Sequence, residues 1–442
     1  MRGRTALFAT LAALFAAMAF AASSAAAAIG PPQPDPAGIL NLPTGYSYTN
    51  IATSCSTPER STESGASVVM PEDPDGKALF QGPRGETWLI VQHELTDPRG
   101  GTEFTGDASK CHVDEQTPGD DDSDGWGSIS RLTLANDGTT LTNAELITTG
   151  LHDLCASAVT PWKTFLTNEE FPFIHDPDKL SGWVWEIDPA TGAEKRLTGM
   201  GWFSHEQETF ASGSWYLTDD RGDARFVYRF VPDNQRDLTT GELYGLAFNH
   251  ATMTGTWIGP LNRLDPDSDM RSRGYQPSIW GFNKAEGMVA TGSSSTRGGN
   301  AVYFAESGVG ADPGRIWALD QLGNDGVVFG RVVVEGDWAR LGRPDNLRFT
   351  DAGDLLIMED HSGSDFRNNP STGGVNQGWV LPRNQEGSDS MILLWSTPDE
   401  ATGPWFSNDN QLLYLSIQAD PPRVSHVIAV RAPGNFNQPY DR

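Results

Sequence analysis

The segment Asp153-Leu-Cys-Ala-Ser-Ala-Val-Thr-Pro-Trp-Lys-Thr-Phe-Leu-Thr-Asn-Glu-Glu170 sets a lone thiol, a turn and two adjacent carboxylates within one hairpin length. Buried strands do not end in paired acids without cause. Two unpaired carboxylates repel each other and lose hydration unless a cation sits between them. The segment therefore reads as one wall of a site for several metal ions, with the other walls supplied elsewhere in the chain.

Its shape recurs. Short apolar runs ending in acidic or polar residues stand at Thr87–Glu94, Lys163–Glu170, Ser214–Asp220, Ala301–Glu306, Asp354–Asp360 and Gln411–Gln418. Most are preceded by a second conspicuous polar position: Cys155, His205-Glu206, Glu286, Asp345 and Glu400. A turn lies between the two, as in Asp345-Asn-Leu-Arg-Phe-Thr-Asp-Ala-Gly-Asp-Leu-Leu-Ile357. No long amphipathic helical period appears, and Gly, Asp, Asn and Pro punctuate the chain at regular intervals. The six copies predict an all-β fold, a six-bladed β-propeller with inserted loops. In such a fold the inner strands converge on one axis, so polar strand ends remote in sequence line one cavity.

The chain opens with Arg2 and Arg4, an apolar Ala/Leu/Phe run and the small residues Ala25–Ala28, the pattern of a cleaved secretory signal. The expected organisation is a signal peptide over residues 1–28, an extended Pro/Gly-rich lead-in over 29–48 and a single catalytic propeller over 49–442. No later stretch is long and apolar enough to cross a membrane as a helix. A secreted, periplasmic or extracellular monomer with no integral membrane segment in its mature form is expected.

With 58 acidic against 31 basic side chains, the net charge is −27. There is no basic surface to displace counterions, which argues against nucleic-acid binding. Most of the acids are expected to be solvated surface, and a subset to hold hard cations. The three cysteines leave one unpaired in an exported protein. Cys55 and Cys111 lie in polar, loop-rich sequence and are expected to pair. Cys155 is then free, either an inert buried thiol or a soft-metal ligand. Its place in the opening segment favours the ligand.

Common catalytic machinery is missing. There is no Gly-x-Ser-x-Gly elbow, no Walker A loop and no Gly-x-Gly-x-x-Gly fingerprint. His93-Glu94 and His205-Glu206 lack the second His of a zinc-protease motif. The run Asp120, Asp122, Asp124, Gly125 imitates the start of an EF-hand loop, but Arg131 stands where a bidentate Glu is required. Chemistry must come from metals and carboxylates. The candidate ligands are Cys155, Glu94, Glu169, Glu170, Glu206, Glu286 and Asp345. This oxygen-rich set with one thiolate disfavours structural zinc, suits calcium and accommodates iron. Paired metals fit phosphoryl or acyl hydrolysis. A protein of this charge repels a phosphate ester at long range, so local cations must hold it; Lys284, Arg221 and Lys163 are the candidates.

These same residues resemble the PhoX family of secreted bacterial alkaline phosphatases. Cys155 through Glu170 is similar to the family's N-C-A-G-G-x-T-P-W-G-T-W-L-T-C-E-E segment. Further matches follow in order: His93-Glu94, Phe203-Ser-His-Glu206, Thr218-Asp-Asp-Arg-Gly-Asp223, Lys284-Ala-Glu-Gly287, Arg343-Pro-Asp-Asn-Leu347 and Glu400-Ala-Thr-Gly-Pro404. The resemblance implies phosphomonoester hydrolysis outside the cytoplasm at a centre holding iron and calcium. It implies Cys155 as a thiolate ligand to iron, and Glu94, Glu169, Glu170, Glu206, Glu286 and Asp345 as carboxylates shared among the metals. The departures are Leu154 for the family's Asn, Ser157-Ala158 for its Gly-Gly, Lys284 for an Arg expected to contact phosphate, and Arg2-Gly-Arg4 for its twin arginines. Two other readings fit part of the pattern: a calcium-dependent propeller lactonase or esterase, and a non-catalytic calcium-stabilised binding propeller.

Overall fold

The computed structural model describes residues 29–95, 125–172, 174–176, 179–221, 224–291, 301–320, 322, 326–361, 374–419 and 423–437. The expected signal peptide, Cys111 and Asp120–Asp124 lie outside them. The described chain is almost entirely strand, with short α-helices at Pro266–Ser272 and Pro277–Trp280.

Its sheets are arranged as in a propeller. The strands that face the axis are β1 (Pro74–Gln81), β2 (Leu154–Val159), β3 (His205–Ala211), β4 (Ala285–Ala290), β5 (Pro344–Phe349) and β6 (Glu400–Phe406). Each is the edge strand of a sheet. β1 packs beside β2, β2 beside β3, β3 beside β4, β4 beside β5, β5 beside β6, and β6 beside β1 again.

The strands β2, β5 and β6 each edge a four-stranded sheet, and β1 edges a six-stranded one. β3 and β4 are the two edges of a nine-stranded sheet, whose halves meet where Thr254 and Gly255 pair with Phe329 and Val328. In the β6 sheet the outermost strand, Ser47–Thr53, comes from the N-terminal end and pairs antiparallel with His426–Arg431 near the C-terminal end. This contact ties the two ends of the described chain together and leaves no open seam in the ring.

The runs singled out in the sequence are the strands next to the inner ones: Thr87–His93, Phe165–Glu169, Ser214–Asp219, Ala301–Glu306, Leu355–Glu359 and Leu412–Gln418. They lie between inner and outer strands, and sheets pack on both of their faces. Phe165–Glu169 and Ser214–Asp219 are buried at every position. This explains why they read as continuous apolar runs and not as alternating ones. Between the β2 and β3 sheets, Leu166, Val184, Trp215, Leu217, Phe230 and Leu243 form one core cluster. Each such side chain contributes about 1.5–3 kcal/mol on burial. This packing is the rigid frame on which the axial residues are mounted.

Cys55 is disulfide-bonded and Cys155 is free. The partner expected for Cys55 lies outside the described residues. No helix among the described residues is long and apolar enough to cross a membrane.

Candidate metal centre

Each inner strand carries a polar residue at its start: Asp75 on β1, Cys155 on β2, Glu206 on β3, Glu286 on β4, Asp345 on β5 and Glu400 on β6. The pairing register slips at this position in five of the inner strands, between Pro74 and Lys77, Cys155 and Ser157, His205 and Glu208, Ala285 and Met288, and Pro344 and Leu347, and in β6 two residues beyond Glu400, between Thr402 and Trp405. Such bulges bend a strand and re-aim its side chains. Two residues before four of the polar positions the backbone takes a positive φ, at Asp73, Asp153, Lys284 and Arg343. Non-glycine residues adopt this region at a cost of about 1–3 kcal/mol each, and such strain gathers at functional sites. The ring is also close-packed: a Cβ on Gly287 would come within 2.6 Å of the Asp345 carbonyl oxygen.

Three overlapping groups of donor atoms result. Asp75, Glu94 and Cys155 form the first; Cys155, Glu170 and Glu206 the second; Glu206, Asp220 and Glu286 the third. Within each group the ligand atoms lie within 4.8 Å of one another. Cys155 and Glu206 each belong to two groups, so the three join into one acidic array around a single thiol.

The array holds far more like charge than it can ionise unaided. Burial first, and then the neighbouring carboxylates, push Glu94, Glu170, Glu206, Glu286, Asp345 and Glu400 well above the usual carboxylate range. Burial, with Glu206, Glu94, Asp75 and Glu170 close by, raises the Cys155 thiol in the same way. One cation is built in: Lys284 Nζ lies 3.0 Å from Glu286 Oε1 and 3.3 Å from Asp220 Oδ2. Glu206 Oε1 and Asp345 Oδ1 are buried with no hydrogen-bond partner among the described residues. Orphaned carboxylate oxygens grouped at this spacing fit bound cations, which would restore the charge balance.

The structure thus brings together Cys155, Glu94, Glu170, Glu206 and Glu286, with Asp345 beside Glu206 and Glu286. Glu169 is not among them. Successive strand residues point to opposite faces, and Glu169 accepts the backbone N–H groups of His152 at 3.2 Å and Trp183 at 3.1 Å. Arg221 is exposed beside Asp220. Lys163 is elsewhere, on the wall of a separate axial cavity.

The histidines of the two His-Glu pairs are structural. Burial holds His93 down to about 4 and His205 down to about 3. His93 bridges the Glu72 carbonyl and Ser130 Oγ, both at 2.9 Å, while His205 Nε2 meets the Gly201 carbonyl at 2.9 Å.

Two members of these groups, Asp75 and Asp220, are not among the candidate ligands that the sequence pattern singles out. Asp75 is the missing second polar position of the first repeat. Asp220 ends the third run one residue beyond its strand, as Glu170 does in the second. Asp75 is further fixed by the Ala156 N–H at 2.6 Å, which joins β1 to β2 directly.

Fold and site together define a propeller-like all-β protein with an axial acid-and-thiol centre suited to several cations. The sequence profile of the family described as Alkaline phosphatase PhoX matches residues 138–421. The chain belongs to this family of alkaline phosphatases, which are phosphoric monoester hydrolases. The matched span includes Cys155, Glu170, Glu206, Asp220, Glu286, Asp345 and Glu400, and excludes Asp75 and Glu94.

Among solved structures, Pseudomonas fluorescens PhoX in complex with vanadate, a transition state analogue, is similar over 93% of this chain and 99% of that one, at 18% identity and a TM-score of 0.70. A gluconolactonase from Xanthomonas campestris aligns over 91% of this chain and 99% of its own, at 11% identity and a TM-score of 0.41. No curated protein sequence matches.

Proposed function

We propose that this chain is a secreted phosphomonoesterase whose axial centre holds iron and calcium. The observation that carries this reading is the place of Cys155 between two carboxylate groups. A lone thiolate among hard oxygen donors suits iron at that point, and the all-carboxylate remainder suits calcium. Cys155, Asp75, Glu94, Glu170 and Glu206 would hold one part of the set, and Glu206, Asp220, Glu286 and Asp345 the other. Glu169 acts by fixing the strand end that presents Glu170. When bound, the cations would supply Lewis acidity toward a phosphoryl group and offset its charge.

The chain's own contribution is positioning. The bulged strand starts hold the carboxylates in place before substrate arrives. Lys284, once its carboxylate partners are engaged by cations, is free to donate to a phosphoryl oxygen as a compact point charge. Arg221, exposed beside Asp220, offsets the repulsion that a net charge of −27 imposes on an approaching phosphate ester. The substrate is a small phosphomonoester, hydrolysed outside the cytoplasm after removal of residues 1–28.

We further propose six blades, reading the nine-stranded sheet as two blades joined through Thr254–Ile258. The closed succession of inner-strand contacts supports this count. On this reading, residues 29–48 are a lead-in to a single catalytic domain over 49–442, and the protein acts as a monomer. The test is hydrolysis of p-nitrophenyl phosphate with calcium and iron supplied, alongside elemental analysis. Turnover no higher than that of a Cys155→Ala, Glu206→Gln double variant would sink the reading.

A further inference from the structure

Beyond the acid centre, the same inner strands enclose a second space. The polar residues stand at the starts of β1–β6, while a cavity of about 740 Å³ is lined by positions further along them, including Val159, Phe210, Val289, Phe349 and Trp405. It therefore lies beyond the acid centre along the axis. Ligand pockets commonly fall in this size range.

Arg348 on β5, half-buried, is the cation of this wall whose donors are unspent; Lys77, fully buried in the same wall, gives its ammonium to the carbonyls of Asp75, Thr402 and Gly403. Buried cations are ordinarily paired or saturated with acceptors. Arg131 is paired with Glu145 at 2.7 Å. Arg343 donates to the carbonyls of Ser307, Gly310 and Asp312. The Arg348 guanidinium lies 3.6 Å over the Trp405 ring, and it has no hydrogen bond or ion pair with any described residue. Burial pulls it down to about 10, with Asp351 opposing from a distance. Asp351 itself accepts from Asn410 Nδ2. Lys163, exposed on the Thr160–Thr164 turn, lines the same cavity.

We propose that this cavity is a binding site for a small organic anion. Its oxyanion head would sit on Arg348, with Lys163 near the opening, and its apolar body would lie against Trp405 and Phe349. A guanidinium stacked on an indole keeps its in-plane donors available at its edge, and the aromatic walls favour a ligand with apolar surface. The negative field of the whole molecule opposes free anions, and Asp351 and Glu208, the latter pushed up to about 8 by burial, also line the cavity, so occupancy depends on Arg348 and Lys163. The site is independent of the phosphatase reading, because no acid-centre residue is needed for it.

The test uses the full mature chain and benzenesulfonate, an aromatic anion that no phosphatase hydrolyses, followed by titration calorimetry. The expected result is one saturable site. Arg348→Gln should weaken it about tenfold or more, the scale of a lost charge-assisted hydrogen bond. Lys163→Ala, an exposed change that leaves folding intact, should weaken it about two- to fivefold. Lys284→Gln should leave it unchanged. Failure to saturate up to about 10 mM, the weak limit for specific binding by this chemistry, would overturn the proposal. So would affinity insensitive to both Arg348→Gln and Lys163→Ala, or affinity lost with Lys284→Gln. If Arg348→Gln does not fold, Lys163→Ala and Lys284→Gln decide.

Discussion

Lys284 Nζ lies 3.0 Å from Glu286 Oε1, and the two residues belong to the same strand entry. The positive φ at Lys284 turns its ammonium back toward the acids that follow it. It is the built-in counter-ion of the Glu206, Asp220 and Glu286 group. Lys284→Met should destabilise the metal-free protein by about 1–3 kcal/mol. This is less than for a fully buried pair, because the lysine is partly exposed. Added calcium should recover most of the loss in thermal midpoint, while kcat/KM stays at least tenfold low. An equal loss with and without calcium would contradict this role.

Among the described residues, Cys155 supplies the one sulfur atom of the array. Cys155→Ala should therefore remove iron while leaving calcium content within about twofold, since hard oxygen donors remain for calcium. Elemental analysis of protein from its native export route checks this. Full phosphatase activity with iron absent would instead favour a calcium-only esterase.

Glu169 supports the centre without entering it. Its carboxylate accepts two backbone N–H groups on different segments. Glu169→Gln turns donors toward donors and should cost about 1–3 kcal/mol. Metal content per folded molecule should not change. A selective loss of one metal would place Glu169 among the ligands after all.

Glu59 reports on pH. It is buried, accepts from Ser130 Oγ at 3.0 Å, and is pushed up to about 8 by burial. Between the unfolded carboxyl value and about 8 the native state holds a proton that the unfolded state has lost, so stability falls as pH rises through that window. Glu59→Gln keeps an acceptor for Ser130 and has no proton to lose. Its denaturant midpoint should fall less steeply from pH 5 to pH 8 than that of the parent, by about 1–3 kcal/mol overall. Parallel profiles would show that Glu59 does not carry the effect.

Gly287 sits where β4 meets β5, with the Asp345 carbonyl oxygen in the space a Cβ would need. Gly287→Ala should force the two strand starts apart, lower the thermal midpoint and loosen metal binding. The cost should be about 1–3 kcal/mol, as for overpacking elsewhere. A variant with unchanged midpoint and metal content would show that the ring tolerates this displacement.

The repeat and much of the acid set are legible in the order of residues alone. Apolar runs buried on both faces are continuous, so the strands are legible as runs, and the acidic or polar residue closing each run marks where its strand ends. Cys155, Glu206, Glu286 and Asp345 were recognisable at matched positions before those runs. Double-sided burial also hid the parity of each strand. Along Phe165–Glu169 there is no alternation to say which of Glu169 and Glu170 faces inward, and only the tertiary structure turned Glu170 toward Cys155 and Glu169 toward the backbone. The same holds for Glu306, which ends its run as the others do yet binds Arg315 and Trp317 instead of joining the centre. Asp75 is not legible from sequence because its place depends on β1 lying beside β2, where Ala156 N–H meets a carboxylate 81 residues away. Local pattern records which side chains end a strand. Which of them meet is settled by bulges and ring closure, and these depend on long-range packing.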